Sequence, residues 1–432
     1  MKIFWSQLSV FITAILLCGT SAAQTWTGYT IENSGIASNA IKTIIVDENN
    51  VAWIGTDKGL SRFDGKNWTT YTTENNIAHN EINALAYEVS SYGPEIWLGT
   101  NGGVSVIGIS ETDAISAATP YTPDNTDLVS LTVYAAAVDT AHVKWFGTDK
   151  GVSAFTGSEW ITYTTLNLLP NDIVMAISAA DDGWVYMGTG GGGVSRFDGV
   201  SGASPYDTDW SEIVSNNITA IFVDSQGNQW IGTDSGVSKH EGHETRSDWT
   251  AYTTENGLVS DIVHAITEDN QGVMWFGTQA GVSSFDGETW KTFTTSDGLT
   301  GTTVNALAVG KDGAIWFGTD NGVSRYSDVS TAVASSSKLP SMITIEGIYP
   351  NPFNPATTIG FSLPSDGYVT MDIYNLSGQK VRSLLSGNFS AGAHSAVWNG
   401  RNDKGMTASS GVYFARLTMG GITASQRMTF VK

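Results

Sequence analysis

The chain has 432 residues, 42 Asp and Glu against 21 Lys and Arg, and one cysteine, Cys18. A net charge of −21 repels phosphate backbones and anionic membrane faces, which argues against nucleic-acid binding. Cys18 lies in a segment expected to be removed, so the mature chain has no thiol for a disulfide, a nucleophile or a metal.

Lys2, the apolar run Leu8 to Leu17 and the small residues Ser21, Ala22 and Ala23 read as a secretory signal peptide, 1–23, with cleavage leaving Gln24 first. Lipoprotein processing at Cys18 is the alternative, but Leu17 is a poor residue before a lipidated cysteine. No later stretch is apolar enough to cross a bilayer, so no membrane span is expected in the mature chain. Charge is uneven along it. Residues 24–341 carry 13 Lys and Arg against 38 Asp and Glu, and residues 342–432 carry 7 against 4.

From Ile41 the chain repeats. The pattern Trp-x-Gly-Thr begins at Trp53, Trp97, Trp145, Trp230, Trp275 and Trp316, and once with Tyr186 for Trp, at spacings of 41 to 48 residues. That period suits four strands per unit, the blade of a β-propeller. Ile41–Val46, Val51–Thr56, Leu60–Phe63 and Trp68–Thr72 alternate as strands, with Asp, Asn and Gly at the turns between them. Fourth-strand aromatic pairs recur at Trp160 with Tyr163, Trp249 with Tyr252 and Trp290 with Phe293, with weaker versions near Tyr121 and Trp210. The last unit lacks this strand after Tyr326, and the spare copy is Trp26 to Thr30. Seven blades, closed by one N-terminal strand over 24–328, leave no open edge.

The units resemble the two-component-regulator propeller repeat. The best copy runs from Asn256, Gly257 and Leu258 through Trp275, Gly277 and Thr278 to Gly281, Val282, Ser283, Phe285, Asp286 and Gly287. The resemblance implies an extracytoplasmic binding module, several relatives being thought to recognise glycans. The transmembrane, kinase and regulator segments of the sensor proteins are not recognised here.

Residues 329–341 are rich in Ser and Ala and read as a linker. Beyond it, alternation at Ile359, Phe361 and Leu363, at Val369, Met371 and Ile373, and through Val412 to Leu417 predicts a small Ig-like β-sandwich over 342–432. Pro350, Asn351, Pro352, Phe353, Asn354 and Pro355, with Gly411, Val412, Tyr413 and Lys432, resemble a type IX secretion C-terminal sorting domain, type A. The tail is also similar to the Ig-like domain of flagellar hook-capping proteins. The first resemblance implies the type IX secretion machinery as a partner, and a secreted or outer-membrane surface location reached through the periplasm.

Apparent chemical sites have structural readings. The turns at Asp47, Asp181 to Gly183, Asp224 and Asp269 lack the ligand spacing of a calcium loop and read as Asx turns. His240 and His243 are three apart, not four, and read as a surface loop rather than a zinc site. Gly188 to Gly193 has no Lys after it and reads as a lengthened hairpin turn rather than a phosphate loop. No metal or cofactor is expected.

Aligning the inner strands exposes one irregular column. Ile41, Ile82, Val133, Val174, Ile218, Val263 and Val304 occupy one position, and the residues two further on are Ala except for Thr43. Between them stand Lys42, Asn83, Tyr134, Met175, Thr219, His264 and Asn305. Chemical diversity in a uniform frame marks Lys42, Asn83, Tyr134, Met175, His264 and Asn305 as candidate ligand-binding residues at the channel mouth. The competing reading is that they fill gaps between blades or face water. The expected function is a non-catalytic binding propeller with a glycan or protein ligand. The alternative is a propeller-type polysaccharide lyase or hydrolase, which needs two titratable groups converging at the mouth.

Overall fold

The computed structural model describes residues 23–90, 93–109, 118–199, 202–209, 211–241, 248–329, 343–349, 351, 353–389 and 392–431. The expected signal peptide up to residue 22, the linker from residue 330, and Pro350, Pro352 and Lys432 lie outside them. The chain divides into two compact units, one through Val329 and one from Ser330.

The first unit is a seven-bladed propeller of four-stranded antiparallel sheets. Blade 1 is Ile41–Val46, Ala52–Thr56, Gly59–Phe63 and Trp68–Tyr71, from inner to outer. Blades 2 to 6 repeat this order with inner strands Ile82–Ser90, Val133–Val138, Val174–Ala179, Ile218–Val223 and Val263–Glu268. Blade 7 takes Val304–Val309, Ile315–Thr319 and Gly322–Val329 from the end of the unit and Ala23–Tyr29 from its start. The closing strand pairs from Ala23↔Val329 to Tyr29↔Val323, one residue beyond the expected limits at Gln24 and residue 328. Its Tyr29 ring stacks on Trp316 at 5.9 Å, so closure is aromatic as well as backbone.

Each letter of the repeated motif has its own task. The seven Trp or Tyr side chains are all buried. In blades 1, 3, 5 and 6 the indole Nε1 donates to Asp47, Asp139, Asp224 or Asp269 at 2.8–3.0 Å. The other carboxylate oxygen of each Asp accepts two turn amides, as with Asn49 and Val51 on Asp47. These are Asx turns tied to the core. Asp182 likewise accepts the Trp184 amide. Blade 4 has Tyr186 for Trp, and Ala180 stands where blades 1, 3, 5 and 6 have the capping Asp.

The motif Thr hydroxyl donates in every blade to the carbonyl of the Gly that opens the third strand, from Thr56 to Gly59 through Thr319 to Gly322, at 2.8–2.9 Å. In blade 4 the hairpin between Thr189 and Gly193 is one residue longer, the expected lengthened turn. The motif Gly is where the next blade sits. A Cβ on Gly188 would lie 2.4 Å from Ile218 Cγ2, and one on Gly99 2.6 Å from Val133 Cγ1. Gly318 of blade 7 meets Ile41 of blade 1 in the same way, at 2.5 Å, which completes the ring.

Two local expectations are corrected. The outer strand of blade 4 is Gly202–Tyr206, ahead of Trp210, which lies outside the described residues. Its Tyr206 hydroxyl accepts from Arg196 at 2.8 Å and contacts His240 Nδ1 at 3.3 Å, a pairing no indole offers. His240 is not in a surface loop. It is 1% exposed in the third strand of blade 5, where blades 1, 3, 4 and 6 place Phe, with Nδ1 2.7 Å from Gln229 Oε1. His243 lies outside the described residues.

The second unit is an Ig-like sandwich. Thr344–Tyr349, Thr357–Leu363 and Gly392–Trp398 form one sheet. Lys380–Phe389, Gly367–Asn375, Gly411–Met419 and Ile422–Phe430 form the other, in that order. Phe361, Leu363, Met371, Trp398, Leu417 and Phe430 fill the space between them.

Two outcomes test this account. Removing residues 23–30 exposes the Gly322–Val329 edge and strips the stacking partner of Trp316, so the propeller melting temperature should fall by several degrees and aggregation should rise. An unchanged melt refutes the closure. Gly318→Ala should cost about 1–3 kcal/mol in chemical denaturation, because its Cβ would lie 2.5 Å from the buried Ile41.

Candidate functional site

The irregular column has a backbone cause. In all seven inner strands the register slips by one between the first residue and the small residue two on: Ile41/Thr43, Ile82/Ala84, Val133/Ala135, Val174/Ala176, Ile218/Ala220, Val263/Ala265 and Val304/Ala306. Lys42, Asn83, Tyr134, Met175, Thr219, His264 and Asn305 are therefore the bulged residues. A bulge leaves its residue out of the ladder and re-aims the side chain. All seven sit at one end of the inner strands.

Six of the seven line a single open cavity of about 540 Å³: Lys42, Asn83, Tyr134, Met175, His264 and Asn305. Thr219 is not in its wall. Its hydroxyl donates to the Val263 carbonyl of the next blade. Asn83 Nδ2 does the same to Val133 at 3.0 Å, and Asn305 Nδ2 to Ile41 at 3.0 Å. These three residues are blade-to-blade ties, as the gap-filling reading held for the whole column.

Lys42 belongs to a polar net on the blade 1 and 2 side. Its Nζ pairs with Glu81 Oε1 and reaches Asn83 Oδ1 at 3.3 Å. Asn101 Nδ2 donates to Glu81 Oε2 at 2.7 Å, and Asn83 Nδ2 donates to Asn101 Oδ1 at 2.8 Å. The Lys42 hydrogen bond holds the Glu81 carboxyl below its usual range. The pair is about one-third exposed, so it orders the rim more than it stabilises the fold.

Tyr134, Met175 and His264 differ from these four. Met175 is 41% exposed, and Tyr134 has no hydrogen-bond partner among the described residues. His264 Nε2 is enclosed without a partner, and desolvation lowers the pKa of the ring, which is neutral at pH 7. Three side chains thus stand at the mouth without serving the junctions between blades.

Sequence reasoning missed Glu81, Asn101 and Asp320, which also line the cavity. Glu81 precedes an inner strand, and Asn101 and Asp320 each follow the motif Thr. In blades 2, 5 and 7 these two columns are hydrogen-bonded, as in Asn217 to Asp234 at 2.8 Å and the Thr303 amide to Asp320 at 3.3 Å. Comparing them across repeats was the available signal.

In the sandwich unit the expected motif residues tie chain ends together. Phe353 is buried and bridges Phe430 in parallel, and its amide donates to the Thr429 carbonyl at 3.0 Å. Asn351 Oδ1 accepts the Thr429 amide at 2.8 Å. Asn354 and Pro355 line a second cavity with Asn399, Arg401, Thr407 and Phe430. Gly411, Val412 and Tyr413 open a strand, and the Tyr413 hydroxyl donates to the Ser409 carbonyl at 2.6 Å, in the manner of a tyrosine corner.

Comparison with known proteins gives the following. Residues 212–235, 257–280 and 298–321 match the two-component regulator propeller model, and residues 353–420 match the FlgD Ig-like domain. No curated protein matches the sequence significantly. The fold is similar to the extracellular domain of a putative hybrid two-component system from B. thetaiotaomicron, with a TM-score of 0.60 and 19% identity over 95% of this chain and 58% of that one. It is similar to PorZ, a surface component of the type IX secretion system of Porphyromonas gingivalis, with a TM-score of 0.57 and 17% identity over 94% and 61%. This chain therefore spans about 60% of the length of those two. Virginiamycin B lyase from Staphylococcus aureus, solved as a catalytically inactive variant with quinupristin, gives a TM-score of 0.54 and 14% identity over 71% and 99%. At these identities the likeness is one of fold, and the chain is a propeller-repeat protein with a C-terminal Ig-like domain.

Proposed function

We propose that the protein is an exported, non-catalytic binding propeller that takes a glycan or protein ligand at the axial mouth. The observation that supports this most is the division of the bulged column. Asn83, Thr219 and Asn305 are used up between blades, while Tyr134, Met175 and His264 line the cavity with no such duty. Tyr134 offers a flat ring with a hydroxyl, suited to a sugar or a peptide side chain.

The lyase or hydrolase reading gains little from the geometry. Among the described residues of the cavity, the one hydrogen-bonded pair of oppositely charged groups is Lys42 with Glu81, and each neutralises the other. The extracellular and surface proteins of like fold support export. The Pro350 to Pro355 segment supports a sorting tail that engages the type IX secretion machinery.

A glycan and peptide screen on the whole chain tests the reading. Tyr134→Ala with Met175→Ala should abolish the hits while changing stability by no more than about 0.5 kcal/mol each, as expected for partly exposed residues. A loss comparable to Trp275→Ala, about 3–5 kcal/mol, would make them packing residues and remove the site.

His264 gives a second check. His264→Leu removes an enclosed unpaired nitrogen, so stability should hold or rise by about 1 kcal/mol. Asn305→Leu breaks a tie and should destabilise by about 1–2 kcal/mol. Because the folded pKa of His264 is depressed, its contribution is complete above the unfolded value near 6.5 and is lost as pH falls below that. This slope should vanish in His264→Leu.

Removing residues 342–432 should leave a folded propeller retained in the periplasm of the producing cell. Normal amounts of the truncated protein outside the cell would contradict the sorting role.

A further inference from the structure

A second site emerges when the blades are compared at the opposite ends of their inner strands. In blade 1, Trp53 is bonded to Asp47 and stacked on Tyr71 at 6.4 Å. Its cross-strand partner Arg62 places the guanidinium carbon 5.6 Å from the indole centroid, and Asp64 pairs with Arg62 at 3.6 Å. Blade 5 repeats the arrangement with Lys239 over Trp230 at 5.4 Å and Glu241 on Lys239 at 2.6 Å. Blade 7 keeps the cation, Arg325 over Trp316 at 5.6 Å, but takes the carboxylate from the turn before the second strand, Asp312 on Arg325 at 2.5 Å. A Trp face, a cation and a carboxylate form one recurrent unit.

Blade 6 keeps all of this except the basic residue on the third strand. Trp275 is bonded to Asp269 at 2.8 Å and stacked on Phe293 at 5.4 Å. Asp286 occupies the position of Asp64 and makes the same turn, accepting the Glu288 and Thr289 amides. The cross-strand partner of Trp275, however, is Ser284. In place of the long basic side chain there is a cavity of about 200 Å³, lined by Asp269, Trp275, Ser284, Asp286, Phe293 and Tyr326 among others. Blade 3 shows the contrasting case. Trp145 faces Ala154, and Thr156 replaces the acid, so cation and carboxylate are lost together. Blade 6 has lost the third-strand cation and kept its acid, and the nearest basic group is Lys291 on the fourth strand, cross-strand from Ser284.

We propose that this cavity between blades 6 and 7 is a binding site for a guanidinium group, such as the side chain of an arginine-bearing ligand. The template is internal to the chain: a guanidinium already rests between the equivalent Trp and Asp in blade 1. Asp286 is held ionised, its carboxyl lowered to about 2 by the Thr289 hydroxyl and amide and the Glu288 amide. The acidic body, with 38 Asp and Glu against 13 Lys and Arg, draws cations toward it. Lys291 lines the same cavity and acts electrostatically on Asp286, so an entering guanidinium competes with it. The site is independent of the mouth and stands whether or not a ligand binds there.

The test is calorimetric titration of the full chain with N-acetyl-L-arginine amide. Binding in the millimolar range is expected, weakened about tenfold by Asp286→Asn, which keeps the turn acceptor and removes the charge. Ser284→Arg recreates the blade 1 arrangement, so it should abolish probe binding and raise the melting temperature. N-acetyl-L-lysine amide should bind more weakly, lacking the planar fork. Absence of binding to the unaltered protein, or binding that survives Asp286→Asn at full strength, overturns the proposal even if Ser284→Arg fails to fold.

Discussion

The close approach of one blade to the next depends on the missing Cβ of the motif glycine. The first inner-strand residue of each following blade presses into that gap, with a Cβ at Gly55, Gly99, Gly147, Gly188, Gly277 or Gly318 coming within 3 Å of it or of a close neighbour. Gly232 meets Val263 at 3.0 Å. Because interiors pack like crystals, the side chain in the gap is confined to Ile or Val and the one two positions on to Ala or Thr. The Trp, bonded to the turn Asp, and the Thr, locking the hairpin, hold the strand that carries the glycine. The ring is the repetition of this one contact.

The same contact explains the bulge. The first inner-strand residue packs on the glycine of the preceding blade and the residue two on beside the glycine of its own blade, so the two face opposite sides, and the register slip between them leaves the intervening residue out of the ladder. Freed from packing, that residue takes up whatever chemistry the junction or the mouth offers. Where it is Asn or Thr it reaches the next carbonyl. Tyr134, Met175 and His264 remain in the cavity wall, and the enclosed nitrogen of His264 is a cost the fold does not require.

Departures from the repeat come in compensating groups. Tyr186 without its capping Asp, Arg196 over the Tyr206 ring at 4.1 Å and His240 in place of Phe form one buried polar cluster between blades 4 and 5. Each change would be costly alone, since an unpaired buried donor loses its hydration. Blade 6 is different in that Ser284 leaves open space beside Asp286, with Lys291 of the fourth strand in its wall.

The sequence by itself determined the number of blades, the strand order within each, the circular closure through Trp26 and Tyr29, and the sandwich beyond residue 342. These follow from short-range spacing, because a four-stranded blade is a local object and its turns are written in Asp, Asn and Gly. It also singled out Lys42, Asn83, Tyr134, Met175, His264 and Asn305, as the one uneven column in an even frame. Only the tertiary structure decided which of them are ties, since the acceptors of Asn83, Thr219 and Asn305 belong to the next blade, 44 to 264 residues away. It alone placed His240 in the core, because Tyr206 and Gln229 come from different strands. It alone showed the cavity beside Trp275, because a missing side chain becomes space only when the neighbouring blade is there to bound it.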